Sequence, residues 1–205
     1  MRPSPVFALA LCACASSRPR PGAVAPDDGR FVLRFDPFSA APYYDLDALH
    51  ARVDRAVPSD FTITLRPDAI ERFITGPTPA LCVRLVLTDA GARRLRADAA
   101  AHREGAGRAT GKLEDDLDLS IFVAELDGRR LFEGQVWLAR GAAAFDTPAM
   151  HPVDTPAPAS LLIMPNQGMW NALGPGGRSA IDHPALRAYF QARGAFEERR
   201  GCAME

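Results

Sequence analysis

Polar side chains suited to ligand binding gather in one long loop near the C-terminal end of the chain. The segment from Asn166 to Ser179 carries two amides, an indole ring and a guanidinium group in a glycine-rich setting: Asn166, Gln167, Trp170 and Arg178. Loops carry binding residues more often than the elements that they connect. The run Gly174-Pro-Gly-Gly-Arg-Ser179 could cradle an anion ahead of a helix, although it lacks the Lys-Ser/Thr ending of a P-loop. The loop is therefore a candidate ligand-facing patch, with a plain connection as the alternative.

Catalytic and metal-binding motifs are not recognisable in the sequence. The four histidines are isolated from one another and from cysteine, which does not fit the ligand spacing of a zinc site. The acidic run Glu114-Asp115-Asp116 lacks the alternating oxygen ligands and the central glycine of a calcium loop. The sequence thus predicts no metal, no cofactor and no identifiable catalytic residue, and it favours a protein that is not an enzyme.

The N-terminus has the three parts of a secretion signal. Arg2 supplies a positive charge, Val6 to Ala13 is apolar, and small residues follow. The apolar run is far shorter than the roughly 20 residues that a transmembrane helix needs. Leu11-Cys-Ala-Cys14 resembles the lipobox of bacterial lipoproteins, which implies cleavage after residue 13 and lipid attachment at Cys14. An ordinary cleaved signal and an apolar N-terminus of a cytosolic protein are the alternatives.

The lipoprotein resemblance also implies a location. Ala15 follows the candidate lipidated cysteine, and by resemblance to the lipoprotein sorting rule this favours the outer membrane, with the domain facing the periplasm or the cell surface. The implied partners are the membrane, through the N-terminal lipid, and an envelope protein. Residues 14–29 are rich in Pro, Ser and Asp, which is typical of a flexible tether. The net charge of −1 gives no reason to expect nucleic acid as a partner.

Two cysteines would remain unmodified if Cys14 carries the lipid and Cys12 leaves with the signal. They are Cys82, in a predicted strand, and Cys202, near the C-terminus. In an oxidising compartment such cysteines can pair. We expect either a Cys82–Cys202 disulfide that ties the C-terminal residues to the sheet, or a buried Cys82 and a free Cys202.

The middle of the chain reads as a strand, a helix and a strand pair. Ala80 to Thr88 is apolar and β-branched, and the next residues carry apolar side chains at helical spacing. Asp127-Gly128 separates two strand-like arms, which predicts a two-residue β-hairpin. The segments Leu85 to Leu95 and Leu119 to Gly128 are similar to the periplasmic head subdomain of the Sec translocase subunit SecD. That resemblance supports the fold and implies no transport role.

The remaining segments complete an α+β domain with a mostly antiparallel sheet and two or three helices packed on it. We expect strands at Arg30–Phe35, Phe61–Leu65 and Ser160–Met164, a helix from Leu46 towards Pro58, a short helical turn from Arg66, and a final helix over 182–193 capped by Asp182. Loops are expected over Glu104–Asp118 and Thr147–Pro158.

The chain of 205 residues thus divides into four parts. These are a signal peptide at 1–13, a lipidated cysteine and tether at 14–29, one α+β domain at 30–196, and a polar C-terminal tail at 197–205. The expected function is non-enzymatic binding or structural interaction at the envelope. A secreted hydrolase-type enzyme with its site in the 166–179 loop is the alternative.

Overall fold

The computed structural model describes residues 27–37, 46–76, 82–105, 107, 109–137, 148–154, 158–164 and 181–200. These residues form an α+β fold with one mostly antiparallel sheet, as the sequence predicts. The strands are β1 (Phe31–Asp36), β2 (Ile63–Leu65), β3 (Ile70–Thr75), β4 (Val83–Leu87), β5 (Ile121–Leu126), β6 (Arg129–Val136), β7 (Ala149–Val153), β8 (Ser160–Met164) and β9 (Phe196–Glu198). The α-helices are α1 (Leu46–Arg55), α2 (Asp89–Gly105), α3 (Leu113–Asp116) and α4 (Pro184–Ala192).

The sheet has the strand order β2-β1-β5-β6-β7-β8-β4-β3-β9. Its neighbours are antiparallel except for the β6/β7 and β3/β9 pairs, which are parallel. One face, here called the inner face, carries the main core with α2, α3 and α4. The other, the outer face, is covered by α1 above β5, where Leu49 and Val53 pack on Ile121 and Val123. The described residues thus contain four helices, on both faces of the sheet, which is more than the sequence predicts.

The main core gathers at the point where α4 meets strands from both halves of the sheet. The ring of Phe190 stacks on Phe73 of β3 with the ring centroids 4.5 Å apart, and lies edge-on to Phe31 of β1 at 5.3 Å. Strands β1 and β3 lie near opposite ends of the strand order, so a helix that touches both requires a strongly curled sheet. Aromatic pairs in these geometries contribute about 0.5–1.5 kcal/mol beyond their buried area.

The predicted hairpin is confirmed. Strands β5 and β6 pair antiparallel, with Leu126 opposite Arg129. The two turn residues, Asp127 and Gly128, both have positive φ, at 53° and 72°. This is the backbone of a type I′ turn, whose twist matches the flanking strands and which Asp-Gly adopts at low cost.

Helix α2 also begins where the sequence indicates. The Thr88 side chain accepts a hydrogen bond from the Gly91 N–H at 3.0 Å, so Thr88 is the N-cap residue. The final helix differs from the prediction, because His183 rather than Asp182 accepts the capping bond, from the Ala185 N–H. Asp182 is instead buried in an ion pair with Arg187.

The helical turn expected after Arg66 is wrong beyond its first residues. A 3₁₀ turn spans Pro67–Ala69, and strand β3 follows directly. Ile70 and Phe73 have helical spacing, yet both are buried in a strand. A register shift between Ile70 and Arg72 explains this, since an extra residue in the strand moves the alternation by one position.

The two loops expected between residues 104 and 158 are also partly wrong. Helix α3 lies in the first of them, because Leu113 and Leu117, one turn apart, are completely buried. Strand β7 lies in the second, although Pro152 within it has no N–H to donate. Pairing with β6 involves only Ala149 and Met150, so the missing N–H is not needed there.

The domain boundary expected at residue 196 is too early. Residues Phe196–Glu198 form β9, which pairs in parallel with Phe73, Ile74 and Thr75 of β3. Two of its three residues, Glu197 and Glu198, are charged, because the strand lies at the sheet edge, where charged side chains reach solvent. The N-terminal side is also held, since Asp28 accepts hydrogen bonds from Tyr189 at 2.7 Å and from Arg193 at 2.9 Å.

Candidate functional site

An open cleft of about 430 Å³ lies on the outer face, between α1 and the strands beneath it. Helix α1 covers β5 but ends at Arg55, and the chain then turns back through a 3₁₀ turn at Pro58–Asp60 towards β2. This leaves a gap beside the end of the helix. The cleft is lined by apolar groups from α1, the turn and β5, and by charged groups from β1, β5 and β6: Val53, Ala56, Pro58, Phe61, Val123, Arg34, Glu125 and Arg130.

The apolar floor of the cleft follows from the alternation of β5 and from α1. Val53 and Val123 are buried and pack against each other, and the half-buried ring of Phe61 covers their side. A volume within roughly 300–1,000 Å³ and a floor of aliphatic and aromatic groups are typical of small-molecule sites. The cleft can therefore receive the apolar part of a small ligand.

The charged rim is held by ion pairs between strands that are distant in sequence. Arg34 on β1 donates through Nε to Glu125 on β5 at 3.0 Å. Arg130 on β6 donates to Asp54 of α1 at 2.7 Å, and its Nε lies 3.5 Å from the carboxylate of Glu133. Two arginines and one glutamate therefore line the opening, and each arginine is paired with at least one carboxylate. An anionic group of a ligand would find guanidinium donors on both sides of the floor.

A second ion-pair network fixes α1 over the sheet. Arg52 of α1 bonds the buried carboxylate of Asp36 at 2.5 Å and lies 3.3 Å from Asp60 in the turn that follows. Removing one partner of a buried pair leaves an uncompensated charge, which typically costs about 3–5 kcal/mol. These contacts hold the helix end, and with it the cleft wall, in place.

Buried polar groups continue along β6 beside the cleft. His50 of α1 lies with Nε2 3.3 Å from Oε1 of Glu133, whose side chain is only 6% exposed. Gln135, two residues further on, is 3% exposed, and neither its amide nitrogen nor its amide oxygen has a hydrogen-bond partner. Buried amides are nearly always paired, so the free amide marks unused hydrogen-bonding capacity on this face.

His151 on β7 belongs to the same face. Burial lowers the pKa of its imidazole below the usual 6.5, and a hydrogen bond with the Trp137 backbone opposes that shift. The neutral ring is thus favoured. In the described part of the chain, no group of three or more His, Cys, Asp or Glu residues is placed to hold a metal ion.

The structure does not place the binding residues that the sequence singled out. Asn166, Gln167, Trp170 and Arg178 lie outside the described residues, as does Cys14. Of the cysteine pair, Cys82 forms a disulfide, while Cys202 lies outside the described range. No helix in the described ranges is long and apolar enough to cross a bilayer.

Sequence reasoning missed the cleft residues. The available signal was the alternation of β1, which places Arg34 opposite to the face of Leu33 and Phe35. That signal identifies an outward arginine but no partner for it. Glu125 and Arg130 come close to Arg34 only through the pairing of β1 with β5 and of β5 with β6.

Comparison with known proteins gives no relative from which a role could be transferred. The chain matches no protein-family model, no curated protein and no solved structure.

Proposed function

We propose that this protein is a lipid-anchored envelope protein whose domain binds a small amphipathic anion without transforming it. The observation that carries the binding role is the cleft beside α1, with an apolar floor and two arginines on its rim. The proposed anchor rests on Leu11-Cys-Ala-Cys14 behind an apolar run, and the proposed location at the outer membrane rests on the residue after it.

The cleft favours one ligand shape over others. Its floor is formed by Val53, Phe61 and Val123, so it suits an aliphatic or aromatic body. The side chains of Arg34 and Arg130 are 36% and 40% exposed, so their guanidinium groups are accessible to a ligand. A carboxylate at one end of an apolar body satisfies both features, and a short fatty acid is the simplest probe of that class.

The test is a titration of the purified full-length chain with octanoate, followed by calorimetry and by ligand-observed NMR. We expect saturable binding that Ala56→Phe abolishes by filling the cleft. Arg34→Gln should weaken binding about tenfold, which corresponds to the roughly 1.4 kcal/mol of one charge-assisted hydrogen bond. Arg94→Gln is the matched control, because Arg94 is an exposed arginine paired with Asp68 on a different part of the surface.

Two outcomes would contradict the proposal. Binding that is equally weakened by Arg94→Gln would show a general charge effect, and no saturable binding of any amphipathic anion would leave the cleft without this role. The NMR spectra of ester and amide probes, recorded over hours, address the hydrolase alternative, since cleavage products would identify an enzyme.

A further inference from the structure

Three arginines gather on the outer face at the other side of the sheet, away from the cleft. Arg84 of β4 and Arg72 of β3 lie on neighbouring strands at diagonal positions, because Arg72 pairs with Val86 and Arg84 pairs with Ile74. Diagonal neighbours of this kind are about 7–8 Å apart, within reach of long side chains. Arg199 follows β9, where its N–H bonds the carbonyl of Thr75 at 3.0 Å.

Arg84 is not neutralised by an acidic side chain in the described part of the chain. Its Nε donates to the hydroxyl of Ser160 on β8 at 3.0 Å, and Ser160 is completely buried. That bond fixes the plane of the guanidinium group. Burial, with the charges of Arg72 and Arg199 next, lowers the pKa of Arg84. A cation held beside two others without a carboxylate of its own is electrostatically unfavourable unless an anion joins them.

The described acidic residues near the cluster pair with Arg72 and Arg199 and not with Arg84. Glu197 lies 3.5 Å from Arg72 and also pairs with Arg199. Glu71 lies 3.5 Å from Arg72. Neither of these two carboxylates bonds Arg84.

A second observation concerns Arg72. Its buried Nε lies 3.5 Å from Oε1 of Glu71 but forms no hydrogen bond. A buried donor that forms no hydrogen bond is energetically unfavourable. The surface beneath the cluster is apolar and includes Ile74 and Val86. Both features favour a bound oxyanion.

We propose that Arg72, Arg84 and Arg199 form a phosphate-binding site on the outer face of β3 and β4. Guanidinium forks match the oxygens of a phosphate group better than ammonium groups do. The phosphate is either free inorganic phosphate or the headgroup of a phospholipid. The site lies on strands different from those of the cleft and does not depend on the function proposed for it.

The first experiment measures inorganic phosphate binding to the oxidised full-length chain carrying Cys14→Ser, by calorimetry and thermal unfolding at constant ionic strength. Phosphate should bind saturably and raise Tm. Arg84→Gln should weaken phosphate binding at least tenfold, and in phosphate-free buffer it should raise Tm, because it removes repulsion from two neighbouring cations. Arg94→Gln, the exposed arginine control, should change neither quantity.

A purely structural role of Arg84 predicts the reverse. Arg84→Gln would then lower Tm in phosphate-free buffer through loss of the Ser160 hydrogen bond and would leave phosphate affinity unchanged, and this result would overturn the proposal. Arg199→Gln is a second variant that tests the site without a folding defect, because the Arg199 side chain is 50% exposed. We expect it to weaken phosphate binding several-fold while the protein remains folded.

Vesicles distinguish the two sources of phosphate. If a lipid headgroup is the ligand, the Cys14→Ser chain should sediment with phosphatidylglycerol vesicles, and Arg84→Gln should release it. If free phosphate is the ligand, inorganic phosphate should bind while sedimentation is the same for both chains. Absence of saturable phosphate binding, together with sedimentation that does not depend on Arg84, would refute the site.

Discussion

Gly134 on β6 has less room for an added Cβ than the other described glycines, and Gly134→Ala is the sharpest test of the inner-face packing. An added Cβ would lie 2.2 Å from the carbonyl oxygen of Pro148 and 2.6 Å from Cζ of Phe122. Neither neighbour can yield easily. The Pro148 carbonyl already accepts the Gln135 N–H at 3.0 Å, and the completely buried Phe122 ring lies edge-on to Phe132.

The expected cost follows from these two contacts. Overpacking a filled core costs about 1–3 kcal/mol, and a rigid carbonyl on one side with a confined ring on the other favours the upper end. Separating β6 from β7 to relieve the clash would also lose the Gln135 hydrogen bond, worth roughly 1 kcal/mol. We therefore expect Gly134→Ala to lower the free energy of unfolding by about 3–4 kcal/mol, from the upper part of the overpacking range plus the lost hydrogen bond.

The assay is urea unfolding followed by tryptophan fluorescence, with Gly128→Ala as the matched control. Gly128 has φ of +72° but nothing within 4 Å of an added Cβ. That variant should lose only the stability that corresponds to placing a non-glycine residue in the left-handed region, about 1–2 kcal/mol. If Gly134→Ala costs no more than Gly128→Ala, the close approach of β6 to Pro148 and Phe122 is incorrect.

Three further predictions concern the anchor, the disulfide and acid stability. Cys14→Ser should move the protein from the detergent phase to the aqueous phase, and a mature protein whose intact mass includes no acyl chain would exclude lipidation. Cys202→Ala should leave Cys82 free in a thiol titration and remove about 4–5 kcal/mol of loop-closure stabilisation in the entropic model, less with strain; a Cys82 that remains oxidised has a different partner. The pKa of His151 is lowered in the folded chain, so the unfolded chain binds a proton first as the pH falls through 6.5. The free energy of unfolding should therefore decrease from pH 7.5 to 5. Urea unfolding of His151→Gln should show a smaller decrease over the same range.

Cys202 is the expected partner of Cys82 for a topological reason. Thr75 of β3 pairs with Val83 on one side, the residue after Cys82, and with Glu198 of β9 on the other. The chain that leaves β9 therefore starts two strands away from β4, the strand that directly follows Cys82. The pairing stays a prediction, because Cys202 lies outside the described residues.

Local patterns in the sequence predict those elements that carry their own periodicity or turn signal. β1, the β5–β6 hairpin and α2 are of this kind, because a strict period or a turn dipeptide fixes each of them. β3 could not be predicted in this way, since the register shift after Ile70 imitates a helical period. β9 could not either, because the short segment Phe196–Glu198 has no strand pattern of its own and becomes a strand only by pairing with the edge of β3.

Neither proposed site could be predicted from local sequence. The cleft joins Arg34, Phe61 and Glu125 through strand pairing between distant segments. The arginine cluster likewise needs the antiparallel register of β3 and β4 to place Arg72 beside Arg84. Single arginines in a chain that contains many carry no signal until the strand order shows which of them are neighbours.

The parallel pairing of β9 with β3 has a consequence for how the chain folds. During synthesis β3 emerges well before β9. The chain must therefore close a long loop before these two strands can pair. Contacts between residues so far apart in sequence are associated with slow folding. Until β9 arrives, β3 presents unpaired N–H and C=O groups that another copy of the chain can pair with. A chain truncated before Phe196 should therefore aggregate during refolding, whereas the full-length chain closes its own edge.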